Sequence, residues 1–311
     1  MSEEHIGDAA DVLVALALGF SYSKRPTRPA LSNCSFSLSR GSITGLVGAN
    51  GAGKSTLIKI LARILRPGEG DVTVGGRDLH EPGSRNKYNK VSLVAQDRPL
   101  YRYLSVGEML RVAKSLNSHW NPDRAHAWLS RFDIPLDSKC GQLSGGQQAQ
   151  VALALAVGSS PAVLLLDEPV ASLDPIARNE VTTQLVSEAK EHGTTILVSS
   201  HVVAELASLV TDLLVLKSGQ LILQGNTNDI RTSHVRMQLP MSVPSSNVIT
   251  EVHRFEHDDS AIVRVNSPST LDGLSDERKV RPLTLEEIVL AYLSSSIPVQ
   301  RTAGSAEAGA K

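Results

Sequence analysis

Apolar positions along this chain change period several times, and each change marks an element. From Val12 to Leu18, aliphatic residues alternate with alanine, as in a buried strand. A basic, proline-containing loop covers Ser23 to Pro29, and alternation returns from Leu31 to Leu38. Ile43-Thr44-Gly45-Leu46-Val47 is an apolar run of strand length, whereas Leu57, Ile60, Leu61, Ile64 and Leu65 recur at helical spacing. Asp71 to Val74 and Val91 to Ala95 read as further strands. The texture then turns helical. Ser105-x-x-Glu108 is a capping box opening a helix to about Leu116, and Asn121-Pro122 opens another with Ala125, Trp128, Leu129 and Phe132 on one face. A third helix starts at Ser144, again with a capping box to Gln147. Pro161 to Leu166 is continuously aliphatic, the pattern of a parallel strand buried on both faces. Asp174-Pro175 opens a helix that Gly193 stops, and Ile196 to Ser199 is a strand. Leu213 to Leu216 and Leu221 to Leu223 flank the turn-forming Lys217-Ser218-Gly219-Gln220 and predict a hairpin.

Strands alternating with helices give an α/β class with a parallel core sheet, an N-terminal antiparallel β layer ahead of it and a helical insertion over about 97–142. The main domain is expected over 10–230. Weak alternation at Val235–Leu239, Val248–Phe255 and Ala261–Val265, followed by a helix from Thr284 to Leu293, predicts a small C-terminal α+β appendage over 231–293. Residues 294–311 are rich in Ser, Ala and Gly and are expected to be disordered.

With 311 residues of which 41% are hydrophobic, the chain can build one large core and a smaller one. Lys+Arg 31 against Asp+Glu 32 leaves a net charge of -1, so no global basic field recruits nucleic acid, and none is expected as a partner. No apolar run reaches the roughly 18 residues that span a bilayer, and with Met1-Ser2-Glu3-Glu4 at its start no signal peptide is expected. Cys34 and Cys140 lack metal spacing and read as free thiols of a reducing compartment. A cytoplasmic protein is expected.

Gly48-Ala49-Asn50-Gly51-Ala52-Gly53-Lys54-Ser55-Thr56 fits G-x-x-x-x-G-K-[ST], and it joins a predicted strand to a predicted helix, the context this phosphate-binding loop needs. Glycines at 48, 51 and 53 let the backbone turn its N–H groups inward around phosphate oxygens, at a helix start whose dipole favours anions. Lys54 would reach the β- and γ-phosphates and the Ser55 hydroxyl would ligate Mg²⁺. A nucleoside triphosphate is therefore the expected ligand. Asp167 and Glu168 follow the buried aliphatic run, at the strand end where a parallel sheet keeps its ligand crevice. There Asp167 would hold Mg²⁺ and Glu168 would accept a proton from, or orient, the attacking water. Gln96 and His201 also end strands, within expected reach of the γ-phosphate.

The order of Gly48 to Thr56, Gln96, Leu143-Ser144-Gly145-Gly146-Gln147, Val163 to Glu168, Ser172-Leu173-Asp174 and His201 resembles the nucleotide-binding domain of an ATP-binding cassette (ABC) ATPase, over roughly residues 10–225. The Leu-Ser-Gly-Gly-Gln stretch carries the resemblance most specifically. It implies a P-loop NTPase fold and a head-to-tail dimer, of two copies or of two related cassettes, with ATP between them. Ser144, Gly145, Gly146 and Gln147 at a helix start would then meet the partner's γ-phosphate, and Asp174 would lie in the loop that crosses the dimer. The resemblance makes Lys54, Glu168, His201 and Gln96 the catalytic set, with Glu168 as base, His201 as γ-phosphate switch and Gln96 as sensor. Ser55, Gln96 and Asp167 become the Mg²⁺ set, and Tyr22 the adenine-stacking residue. Two positions depart from the family pattern: Gln150 and Leu155 stand where arginine is common, and weakened contacts around the signature helix are expected.

The resemblance implies an ATP-hydrolysing subunit that works through separate transmembrane permease subunits, on the inner face of the cell membrane. The Pro282-Leu283-Thr284-Leu285-Glu286-Glu287 tail resembles that of drug- or polysaccharide-type exporter ATPases, so export of a drug, lipid or peptide is expected. The alternative is a non-transport cassette ATPase acting on soluble partners in assembly, translation or repair. His253-Arg254-Phe255-Glu256-His257 fits a zinc-protease pattern, but that chemistry needs a helix and this stretch reads as a strand.

Overall fold

The computed structural model describes residues 11–23, 28–81, 91–97, 99–170, 173–238, 249–255, 260–265 and 280–295. The chain divides into two compact units, Met1–Leu221 and Ile222–Lys311, with the division ahead of the boundary expected near 230.

In the first unit, β1 (Asp11–Phe20) and β2 (Leu31–Ser39) precede β3 (Ile43–Val47) and α1 (Lys54–Leu61). Then follow β4 (Glu69–Val74), β5 (Arg77–Asp78), β6 (Val91–Val94), α2 (Val106–Leu116), α3 (Pro122–Arg131) and α4 (Gly145–Gly158). The unit continues through β7 (Val163–Asp167), α5 (Pro175–His192), β8 (Thr195–Ser200), the single turn α6 (Val203–Leu206), β9 (Asp212–Lys217) and the start of β10 (Gln220–Asn226). One sheet has the order β2-β1-β4-β5 and pairs antiparallel. The other has the order β10-β9-β3-β8-β7-β6, and its pairs from β9 to β6 are parallel. Every residue of β3, β7 and β8 is buried, which is why these strands read as unbroken apolar runs.

Helix α1 is the keystone of the packing. Its Leu57, Ile58, Ile60 and Leu61 are buried in one cluster with Leu13, Phe36 and Leu38 of the antiparallel sheet and Leu165 and Leu197 of the parallel one. Cutting such a buried leucine to alanine costs about 2–5 kcal/mol, so the helix that carries the phosphate loop is firmly fixed. The capping boxes at Ser105 and Ser144 form as their spacing predicts, Asp174 caps α5, and Gly193 ends it at φ 65°. Helices α2 and α3 lie within the expected insertion. Arg124 of α3 pairs with Glu188 of α5, whose Oε1 also accepts from Thr194 Oγ1 at 2.9 Å. That buried cluster ties the insertion to the end of α5.

The second unit holds α7 (Thr227–Thr232), β11 (His234–Gln238), β12 (Ile249–Phe255), β13 (Ser260–Val265), β14 (Arg281–Pro282) and α8 (Leu285–Ser294). Its sheet has the order β12-β13-β11-β14 and is antiparallel. Val235, Met237, Ala261, Val263 and Val265 form its core. His253 lies on β12, not on a helix, as the declined zinc reading requires; Glu256 and His257 lie outside the described residues, as do 296–311 and Ser172. Among the described residues no cluster of His, Cys, Asp and Glu could hold a metal. None of their helices is long and apolar enough to cross a membrane.

Candidate functional site

The phosphate loop leaves the C-terminal end of β3 and enters α1 at Gly53, whose φ of 110° no side-chain-bearing residue adopts readily. Space is as restrictive as conformation. A Cβ on Gly48 would stand 2.3 Å from the Leu216 carbonyl oxygen, and one on Gly53 2.6 Å from that of Ala30. The loop is braced from outside the motif by the β9–β10 turn. There Gly219 N–H donates to Ala52 O at 2.9 Å and Ser32 N–H donates to Gly219 O at 2.8 Å. Asn50 and Gly51 are exposed, Ser55 is half-buried, and Thr56 Oγ1 lies 3.1 Å from Tyr22 Oη. Tyr22 keeps 67% of its surface exposed and packs edge-on against Phe20, a ring held in place with an open face.

Lys54 is buried, yet it is a cation. Its Nζ donates to Gly48 O at 2.7 Å and Ala49 O at 3.3 Å, which folds the side chain back over its own loop. Burial lowers its pKa, and the charges of Glu168 and Asp167 partly offset this. The ammonium and the two carboxylates therefore share one electrostatic environment, although they lie more than a hundred positions apart in the chain.

Asp167 ends β7 and is buried. Its Oδ1 accepts from Ser199 Oγ at 2.7 Å. Glu168 sits just beyond the strand at φ 49°, a left-handed conformation unusual for a residue with a Cβ and typical of functional sites. Its N–H donates to the same Ser199 Oγ at 3.0 Å, and its Oε1 lies 3.2 Å from His201 Nδ1. Ser200 Oγ donates to Glu205 Oε2 at 3.1 Å, and Glu205 Oε1 pairs with Arg178 at 3.0 Å. Gln96 is exposed two residues past the end of β6.

At the start of α4, Ser144 and Gly145 are exposed. Ser144 Oγ accepts from Gln147 N–H at 3.2 Å and Gln147 Oε1 accepts from Ser144 N–H at 3.0 Å, so both side chains serve the helix cap. Gly145 and Gly146 form the first turn of α4, where a helix leaves backbone N–H groups without intrahelical acceptors. Asp174 is likewise engaged locally, its Oδ1 accepting from Ile176 and Ala177 N–H at 3.0 Å each. Gln150 is buried and accepts from Trp128 Nε1 at 3.0 Å, a contact that joins the signature helix to α3.

Ser199 and Gly219 are the residues that the sequence did not single out. Ser199 depends on the register that sets it opposite Asp167 across two strands, and Gly219 on a turn packing against a loop far away in the chain.

Residues 31–171 match the family model described as ABC transporter. A phosphonates import ATP-binding protein PhnC of Rhodopseudomonas palustris is 36% identical over 227 residues, 68% of this chain and 84% of that protein. The chain belongs to the ABC transporter family. A thiamine import ATP-binding protein ThiQ of Escherichia coli O157:H7 is 33% identical over 202 residues, 63% of this chain and 86% of that one. A solved structure described as the ATP-binding subunit of an ABC transporter is 27% identical with a TM-score of 0.64, over 71% of this chain and 92% of its own. The fold is thus the P-loop ABC ATPase fold, and the chain is an ABC ATPase, the ATP-binding part of a transporter. The expectation of export finds no support in these ABC transporter relatives, both of which are import proteins by name. The tail motif behind that expectation is a capped helix start, with Thr284 and Glu287 closing a capping box.

Proposed function

We propose that this chain dimerises around ATP and drives substrate movement through separate membrane-spanning partner chains. The observation that carries the reading is the grouping of Lys54, Asp167, Glu168 and His201 at neighbouring strand ends, beside a loop shaped by Gly48 and Gly53. The donor set suits a nucleoside triphosphate with Mg²⁺. Lys54 and the loop N–H groups would take phosphate oxygens, Ser55, Gln96 and Asp167 would hold the ion, and Tyr22 would stack on the base. Bound there, Mg²⁺ would supply charge neutralisation on the phosphates. Glu168 would orient the attacking water and take its proton, with His201 steering that carboxylate. The solvent-facing start of α4 offers anion-binding N–H groups to a second cassette, of the same or a related chain, and Asp174 stands at the loop expected to cross between the two. By the names of its relatives, uptake is favoured over export.

The test is to recover tagged Glu168→Gln protein with ATP and Mg²⁺ from detergent-solubilised host membranes and to identify what accompanies it. A polytopic membrane protein in stoichiometric yield is the expected result. Soluble partners alone would replace the transport reading with a non-transport one while leaving the ATPase assignment intact.

A further inference from the structure

Ser199 has no exposed surface and lies opposite Asp167 in the parallel pairing of β7 with β8. Its Oγ donates to Asp167 Oδ1 at 2.7 Å and accepts from Glu168 N–H at 3.0 Å. A hydroxyl has one proton and two lone pairs, so donating to the carboxylate fixes the rotor and turns a lone pair to the amide. One oxygen atom therefore sets both the aspartate side chain and the glutamate peptide. The second contact bears on a constrained group, since Glu168 holds a φ of 49° and its carboxylate meets His201, two residues beyond Ser199. An apolar residue at 199 would leave a buried carboxylate oxygen and an amide N–H short of a partner, the costly half of hydrogen-bond energetics.

We propose that Ser199 is a positioning residue for phosphoryl transfer, presenting Asp167 to the metal and Glu168 to the water through a single shared hydroxyl. It rests on the roles given above to those two carboxylates. Ser199→Ala removes the hydroxyl, Ser199→Cys nearly keeps the shape with a weak donor, and Ser199→Thr keeps the hydroxyl on a strand residue. Steady-state ATPase is measured at saturating Mg²⁺. Separately, in the non-hydrolysing Glu168→Gln background, Mg²⁺ is titrated against retention of a fluorescent ATP analogue, with thermal melts run on every variant.

The Ala and Cys variants should lose about tenfold in kcat with KM for ATP within about twofold. Their Mg²⁺ half-point should rise about tenfold, the scale of one hydrogen bond to a charged group. Ser199→Thr should recover most of both. Parental kcat and Mg²⁺ half-point in Ser199→Ala overturn the proposal. So do equal losses in all three variants that track melting temperature. Asp167→Asn and Glu168→Gln separate the two layers. If they keep parental turnover, the carboxylate roles themselves fail; if they abolish it while Ser199→Ala does not, only the role of Ser199 fails.

Discussion

His201 Nδ1 stands 3.2 Å from Glu168 Oε1, and the two side chains arrive from the ends of adjacent parallel strands. With the proton on Nδ1 the ring donates to that carboxylate and presents Nε2 on its far edge. In the proposed reaction the pair would act as a base and its orienter, and removing either should affect turnover more than binding. Glu168→Gln should lower kcat by about 10²–10⁴-fold and leave a long-lived ATP-bound dimer. Size-exclusion chromatography with light scattering checks this: no gain in mass with ATP would count against the assignment. His201→Ala should reduce kcat with little change in nucleotide affinity.

Lys54 is buried, and its Nζ donates to two carbonyls of its own loop. Lys54→Ala should lower ATP affinity by about 2–3 kcal/mol, roughly a hundredfold in Kd. Titration calorimetry reads this directly. The fold should persist, because α1 is held by its leucines and isoleucines rather than by this side chain.

The Trp128–Gln150 hydrogen bond joins α3 to the signature helix α4, and the Gln150 Nε2 atom has no partner among the described residues. Trp128→Phe should destabilise by about 1–3 kcal/mol, since it leaves the glutamine oxygen unpaired as well. Trp128→Phe with Gln150→Leu should cost less than the sum of the two single changes, as a double-mutant cycle in urea would show.

His234 in the second unit is buried between the Ile230 carbonyl, 2.7 Å from Nδ1, and the Tyr292 hydroxyl, 2.9 Å from Nε2. Burial, with the Arg264 charge in support, lowers its pKa to about 4, and burial raises that of Tyr292 to about 12. The folded state thus disfavours the imidazolium, and the unfolded state binds the proton first. The histidine's contribution is complete above pH 6.5 and is lost progressively as pH falls from about 6.5 to about 4, by ~3 kcal/mol. His234→Gln should flatten the melting profile of this unit over that range. An unchanged acid slope would refute the buried neutral ring.

Much of this architecture is written locally. The boxes at Ser105, Ser144 and Thr284 name their helix starts because each cap is satisfied within four residues. The aliphatic runs of β3, β7 and β8 announce strands buried on both faces. The phosphate loop and the Asp167-Glu168 pair are legible for the same reason, as strand-end chemistry in continuous stretches. What escaped needed a second strand. Ser199 looks like any serine until register sets it against Asp167, and Gly219 like any turn glycine until the turn reaches Ala52. The single turn α6 is too short to show a period, and the strand order belongs to topology rather than to pattern.

The Asp167–Ser199 register makes the site a reporter of its own assembly. Side chains alternate between the faces of a sheet, so a one-residue slip of β8 against β7 that set Val198 opposite Asp167 would turn the Ser199 hydroxyl away. A chain caught in that slipped state would retain its apolar core, since the neighbouring positions are aliphatic too, but Asp167 would lose its hydroxyl donor and the Glu168 N–H its acceptor. Nucleotide turnover in a refolding experiment would then measure correct strand registration, which circular dichroism and fluorescence cannot distinguish from compaction.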